Sequence, residues 1–67
     1  MLGLYDPPVT SMSISVVVAD DHLAVRRGLR ALLEREPGIS VIGEASDGTQ
    51  ALDTVARLTP DVLVLIW

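Results

Sequence analysis

Two adjacent aspartates, Asp20 and Asp21, stand directly after an apolar run and have the residue types and spacing best suited to chemistry in this sequence. Neighbouring carboxylates repel each other, and a divalent cation that prefers oxygen ligands, such as Mg2+, offsets that repulsion. The same side chains could instead cap a following helix, because a short polar side chain at a helix N-terminus accepts hydrogen bonds from unpaired N–H groups. Spacing alone leaves both interpretations open.

The apolar patterns around the acid pair predict a strand before it and a helix after it. Ile14 to Ala19 is a short, nearly continuous β-branched run, typical of a strand buried on both faces of a parallel sheet. Leu23 to about Arg35 carries a helical pattern, and Pro37-Gly38 ends it. The apolar stripe of this helix consists of Val25, Leu29, Leu32 and Leu33.

The second half of the chain repeats the pattern. Ile39 to Ala45 predicts a strand whose polar interruptions suit the edge of a sheet. After a turn at Ser46-Asp47-Gly48, a helix ends near Leu58, because Pro60 forbids its continuation. Val62 to Trp67 then predicts a third, apolar strand.

The order β-α-β-α-β predicts an α/β fold with parallel strands, right-handed crossovers and helices on both faces, which is half of a doubly wound sheet. Ligands of such sheets bind at the carboxyl ends of the strands, where the first strand delivers Asp20 and Asp21. Residues 1–13 contain a Pro-Pro pair and no periodicity, and we predict a disordered N-terminal extension there. Met12 is our hypothesis for the biological start.

The composition excludes several classes of protein. The 67 residues suffice for one small domain or part of one, since typical domains have roughly 100 to 150 residues. The sequence has no cysteine, which favours a reducing compartment, and the cytoplasm is our expectation. The net charge of -4 argues against direct nucleic-acid binding by this segment. No apolar run approaches the roughly 20 residues that span a membrane.

Three arginines on the first predicted helix are interpreted as part of a solvated face. Arg26, Arg27 and Arg30 alternate with acidic residues, and the spacing of Arg30 and Glu34 predicts an i,i+4 ion pair. Gly28 within this helix costs about 1 kcal/mol relative to alanine, and close packing against a neighbour is one reason for a glycine there. His22 receives no functional role, since a loop histidine is usually solvated or capping.

Three strings carry a family resemblance: V-V-V-A-D-D-H-L-A-V-R-R-G-L-R-A-L-L-E, G-E-A-S-D-G-T-Q-A-L and P-D-V-L-V-L. Together they resemble the first half of a bacterial two-component response-regulator receiver domain, of the subgroup usually fused to a helix-turn-helix DNA-binding effector. The resemblance covers residues 14–67, which would form a partial receiver domain. It implies a truncated flavodoxin-like sheet of strand order 2-1-3. It also implies that Asp20 and Asp21 help bind Mg2+, and that a sensor histidine kinase phosphorylates an aspartate at the end of the third strand.

The sequence departs from the family where that acceptor aspartate is expected. Leu65 is followed by Ile66 and Trp67, so either Ile66 replaces the acceptor or the aspartate has been skipped. We favour the second alignment, since the family places an aliphatic and then a variable residue after the acceptor. In both alignments position 66 offers no oxygen nucleophile, and neither Ile66 nor Trp67 can form an acyl phosphate. Asp61 cannot substitute, because it begins the third strand, roughly 13 to 17 Å from the active edge by strand rise.

Three functional hypotheses remain. The first is a truncated receiver from phosphorelay signalling and transcriptional control, which is not an enzyme, is not phosphorylated and binds Mg2+ weakly. The second is a degenerate receiver that acts as a phosphorylation-independent interaction module, with self-association through the open edge of the third strand. The third is a Mg2+-dependent phosphatase or nucleotide enzyme. We rank it last, because His22 occupies the position of its second acid and no G-x-G-x-x-G or P-loop is present.

Overall fold

The computed structural model describes residues 13–66 and contains three strands and two helices in alternation. Their bounds are β1 Ile14–Ala19, α1 Leu23–Glu34, β2 Ile39–Ala45, α2 Gly48–Leu58 and β3 Val62–Leu65. The strands form one parallel sheet of order β2-β1-β3, which confirms the predicted fold class. Apart from Ser13, the N-terminal extension predicted over residues 1–13 lies outside the described residues, as do Met12 and Trp67.

The central strand β1 carries the core because a helix covers each of its faces. Val17, Val18 and Ala19 are completely buried. On the α1 face, Leu29 and Leu33 of α1 pack against a cluster that contains Val18. On the α2 face, Ala19 packs with Ala45 and Ala51. Burying a valine side chain contributes about 1.5 to 3 kcal/mol, so β1 is the principal apolar contributor to the fold.

The pairing of β2 with β1 contains one register shift. Val16 pairs with Val41, but Val17 pairs with Gly43, so Ile42 is an extra residue in β2. An extra residue exchanges the faces of every side chain that follows it. The shift turns Gly43 towards α2, where a Cβ would lie 3.0 Å from Leu58 Cδ1. A glycine at this position therefore allows α2 to approach the sheet closely.

The first turn of α1 differs from the prediction. His22 is the N-cap residue and makes no side-chain capping hydrogen bond, so the predicted capping of α1 by Asp20 or Asp21 is wrong. Asp20 Oδ1 instead accepts a hydrogen bond of 2.7 Å from the His22 N–H, which precedes the helix. The Asp20 carboxylate therefore stabilises the loop between β1 and α1. A Cβ at Gly28 would meet no atom of a neighbouring element within 4 Å, so close packing does not explain the glycine at this position.

The turn before α2 carries a capping arrangement that the sequence analysis did not identify. Asp47 accepts a hydrogen bond of 2.8 Å from the Gln50 N–H. The Gln50 side-chain oxygen in turn accepts from the Ser46 N–H at 3.0 Å and from its hydroxyl at 2.8 Å. Such reciprocal bonds satisfy N–H groups at the helix start. The signal was present as a short acidic residue followed three positions later by glutamine.

The third strand is shorter than predicted. β3 ends at Leu65, so Ile66 does not belong to the strand as predicted, and Leu65 pairs with Ala19, the last residue of β1. One further hydrogen bond of 3.0 Å joins the Ile66 N–H to the Ala19 carbonyl.

Asp61 lies at the opposite end of the sheet from the acid pair, as predicted. Its Oδ2 accepts hydrogen bonds from the N–H of Ser15, at 2.9 Å, and from the Ser15 hydroxyl, at 3.0 Å. These bonds hold the pKa of Asp61 below its usual value. The residue therefore ties the start of β3 to the start of β1. Within residues 13–66, neither helix has the length and apolar character required to cross a membrane.

Candidate functional site

The acid pair occupies the carboxyl end of β1, the edge at which parallel sheets bind ligands. The Asp20 side chain is only 2% exposed, whereas that of Asp21 is 62% exposed. The Asp20 N–H donates to the Ala45 carbonyl at 3.1 Å, so the first aspartate is anchored to the neighbouring strand β2. The Asp20 carboxylate is thus buried at the edge of the sheet, and the Asp21 carboxylate faces solvent.

The buried carboxylate of Asp20 is held in its ionised form. The His22 N–H that bonds to Oδ1 lowers the pKa of Asp20 more than burial raises it. The His22 ring adds to this environment, with Nδ1 lying 3.2 Å from Asp20 Oδ1 and 2.8 Å from Asp21 Oδ1. His22 was predicted to have no functional role, and its position immediately after the acid pair was the only sequence signal for these contacts.

The chemistry of the three side chains fits a hard divalent cation in part. One donor atom from each of Asp20, Asp21 and His22 lies within 4.8 Å of the others. Two carboxylate oxygens match the preference of Mg2+ for oxygen ligands, whereas an imidazole nitrogen suits softer metals. The two aspartates are therefore the residues that would hold Mg2+. His22, with its proton on Nδ1, would hold the carboxylates in place.

Next to the acid pair, Glu44 of β2 forms ion pairs with three arginines of α1. Glu44 Oε1 accepts from Arg26 Nε at 2.8 Å and from Arg27 Nε at 3.2 Å, and Oε2 accepts from Arg30 Nη1 at 2.8 Å. These bonds lower the pKa of Glu44 from 4.5 to about 2, and the bond from Arg30 has the largest effect. We call this group the Glu44 cluster.

The Glu44 cluster corrects the interpretation of the arginines as a solvated face. The predicted pair of Arg30 with Glu34 is present at 3.2 Å. The side chain of Arg26, however, is only 12% exposed and reaches the loop of the acid pair, where its Nη1 donates to the Asp20 backbone carbonyl at 2.7 Å. Sequence spacing could not reveal this contact, because it depends on where β2 places Glu44.

Ile66 is the residue that β3 brings to the same edge. Its N–H bonds to the carbonyl of Ala19, the residue before Asp20, at 3.0 Å. A carboxylate at position 66 would stand beside the acid pair, whereas an isoleucine offers no oxygen. The site therefore combines two carboxylates with an aliphatic neighbour.

Comparison with known proteins identifies the family. Residues 16–65 match the sequence profile of the response regulator receiver domain. The chain belongs to this family of receiver domains. The resemblance inferred from the residues is thereby confirmed. The signal receiver domain of the response regulator NarL from Mycobacterium tuberculosis superposes with a TM-score of 0.77 and 40% identity, over 79% of this chain and 43% of that chain.

Two curated relatives contain this receiver segment within longer proteins. The transcriptional regulatory protein LiaR of Bacillus subtilis (strain 168) is 50% identical over 52 residues, which are 78% of this chain and 25% of LiaR. A protein-glutamate methylesterase/protein-glutamine glutaminase of Geobacter metallireducens is 48% identical over 52 residues, or 78% of this chain and 15% of that protein. The chain thus spans a quarter or less of these relatives. Similar receivers accompany both a regulator and an enzyme.

The Glu44 cluster predicts a specific acid dependence of stability. Because the pKa of Glu44 is depressed in the folded protein, its ion pairs stabilise the fold above about pH 4.5. That contribution is lost as the pH falls towards 2. The shift corresponds to about 3 kcal/mol at most, and solvent exposure of Arg27 and Arg30 reduces the expected value to about 1 to 2 kcal/mol. Glu44→Gln should lower the free energy of unfolding by this amount at pH 7 and flatten its decline in acid.

Urea-induced unfolding followed by circular dichroism at pH 7 and pH 3 measures both effects. Glu34→Gln is the matched control, because Glu34 is exposed and among residues 13–66 is bonded to Arg30 alone, so its loss should cost about 0.5 kcal/mol or less. Equal acid sensitivity in Glu44→Gln and in the unchanged protein would contradict the prediction.

Proposed function

We propose that the chain is the receiver portion of a response regulator that acts in phosphorelay signalling with transcriptional control as its output. The observation that carries the proposal is the buried, ionised Asp20 beside Asp21 at the carboxyl end of β1, within a segment that matches receiver domains. The partner of the intact protein would be a sensor histidine kinase, and a helix-turn-helix effector would bind the DNA. The lack of cysteine suits a reducing compartment such as the cytoplasm.

Asp20 and Asp21 are proposed to hold Mg2+ with their carboxylates. Bound there, Mg2+ would neutralise the charge of a phosphoryl group and orient it. Asp20 contributes a charge whose position is fixed by Ala45 and His22, and Asp21 contributes one that can adjust to the ion. We expect weak affinity, since two carboxylates provide few of the oxygen ligands that the ion requires. The segment itself is proposed to have no enzymatic activity.

A second candidate is a phosphorylation-independent interaction module that pairs with a second copy of the chain. The supporting observation concerns β3, which among the described residues pairs only with β1 and leaves its other edge open. Its side chains Val62, Leu63 and Leu65 are 43%, 36% and 44% exposed. An open apolar edge is a template for strand pairing between chains.

Cation binding tests the first candidate. Asp20→Asn should weaken Mg2+ binding about tenfold or more, because two charges 4 Å apart interact by about 1 to 4 kcal/mol between bulk water and a protein surface. Isothermal titration calorimetry measures the affinity. Asp53→Asn is the matched control, since Asp53 is exposed on α2 and paired with Arg57, and it should bind as the unchanged protein does. Unaltered affinity in Asp20→Asn would contradict the assignment.

Phosphoryl acceptance is expected to depend on residue 66. With acetyl phosphate and Mg2+, the unchanged chain should remain unmodified, whereas Ile66→Asp should gain one phosphoryl group, because its carboxylate would lie beside the acid pair. Intact-mass spectrometry detects the adduct. Ile66→Asn, which has nearly the same shape and no nucleophilic oxygen, should remain unmodified. Phosphorylation of the unchanged chain would refute the proposed loss of acceptor function.

Self-association tests the second candidate. If β3 pairs with a second copy, the mass observed by sedimentation velocity should rise with concentration, and it should not depend on Mg2+. Leu63→Lys should reduce the association, because a lysine on an edge strand opposes pairing. Leu52→Lys provides the control, since Leu52 is 73% exposed on α2 and away from the edge. A monomer at every concentration would eliminate the interaction module.

A further inference from the structure

The guanidinium of Arg26 connects the acid pair to the rest of the fold. Its Nη1 donates to the Asp20 backbone carbonyl at 2.7 Å, and its Nε donates to Glu44 Oε1 at 2.8 Å. The side chains of Arg26 and Glu44 are only 12% and 15% exposed. The planar guanidinium of Arg26 is thus bonded to Glu44 of β2 and to the loop of the acid pair.

The carbonyl that Arg26 binds belongs to the peptide unit between Asp20 and Asp21. The Asp20 N–H is anchored on the Ala45 carbonyl, and the neighbouring Ala19 carbonyl accepts from the Ile66 N–H. The chain leaves the sheet at this peptide. Because a peptide unit is planar, fixing the direction of its carbonyl also fixes the direction in which Asp21 departs. The bond from Arg26 therefore sets where the Asp21 backbone begins relative to Asp20, and the exposed Asp21 side chain adjusts to the ion from that starting point.

We infer that Arg26 is a positioning residue for the divalent-cation site, acting through the Asp20–Asp21 peptide and itself oriented by Glu44. This inference rests on the proposed function, in which the two carboxylates hold Mg2+. An arginine suits the role because its donors form a rigid fork, so one bond to Glu44 determines where the other donor points. Groups that orient metal ligands typically affect affinity by tenfold or more, without touching the metal.

Arg30 provides the comparison that separates positioning from general stabilisation. It bonds to the same carboxylate of Glu44 at 2.8 Å and also to Glu34. Both of these partners are side-chain carboxylates, whereas Arg26 also binds the loop. Replacing either arginine removes one ion pair from the Glu44 cluster. Only replacement of Arg26 also frees the Asp20 carbonyl.

The first measurement is a Mg2+ titration of the unchanged chain, Arg26→Met and Arg30→Met by calorimetry, with thermal unfolding measured for each. Arg26→Met should weaken binding roughly tenfold. Arg30→Met should bind within about twofold of the unchanged chain, although it loses two ion pairs, those with Glu44 and Glu34, because neither pair involves the loop of the acid pair. Equal affinities in the two variants would overturn the inference.

A second measurement needs no metal. The His22 N–H donates to Asp20 Oδ1 at 2.7 Å, so its hydrogen exchange reports the geometry of the loop. Exchange at His22, followed by NMR, should be accelerated in Arg26→Met and not in Arg30→Met. If the unchanged chain binds no Mg2+, the proposed cation site fails, and this exchange still decides the role of Arg26: equal exchange in both variants would refute it.

Arg26→Lys serves if Arg26→Met does not fold. Lysine keeps the charge beside Glu44 and the apolar stem, but its single ammonium group lacks the fork that joins the two acceptors. It should retain the fold and still accelerate exchange at His22. Exchange as slow as in the unchanged chain would show that a positive charge suffices and that the fork positions nothing.

Discussion

One extra residue in β2, Ile42, determines which face of the sheet each later side chain of that strand meets. Pairing passes from Val41 to Gly43 between consecutive residues of β1. The residues that follow are thereby sorted, with Glu44 on the side of the α1 arginines and Ala45 on the side of Ala51. Without the shift, Glu44 would lie under α2 without those arginines, where an unpaired carboxylate costs several kcal/mol to bury. The shift is therefore needed both for the ion pairs of Glu44 with α1 and for the packing of Ala45 against α2.

The Glu44 cluster contributes more to placement than to stability. Arg27 is 66% exposed and Arg30 is 35% exposed, and ion pairs of that exposure contribute about 0 to 1 kcal/mol each. The burial of valines in β1 contributes more per residue. What the cluster does provide is direction, because Glu44 orients Arg26 towards the loop that carries Asp20. Core packing thus holds the sheet together, and the charged group determines the shape of its functional edge.

The parts of the fold that local patterns specify were predictable, and those that depend on register were not. The bounds of β1 and β2 and the extent of α1 follow from apolar periodicity and from Pro37-Gly38, and the structure agrees with them. The pairing of Glu44 with Arg26 and Arg30 spans 18 and 14 residues, and the shift at Ile42 decides it. Sequence spacing reveals neither these ion pairs nor the register shift. For the same reason the sequence placed Asp20 after β1 but did not reveal that the His22 N–H bonds to its carboxylate.

Receiver chemistry uses an acid pair together with a phosphoryl-acceptor position, and different parts of this sheet place the two. The His22 N–H in its own loop lowers the pKa of Asp20, and the Ala45 carbonyl of β2 anchors its backbone N–H. Neither group depends on residue 66, which β3 delivers from the other side of β1. A change at residue 66 can therefore remove the phosphoryl acceptor and leave the arrangement of the acid pair intact. The arrangement of Asp20 and Asp21 and the placement of residue 66 are thus determined by two different strand ends.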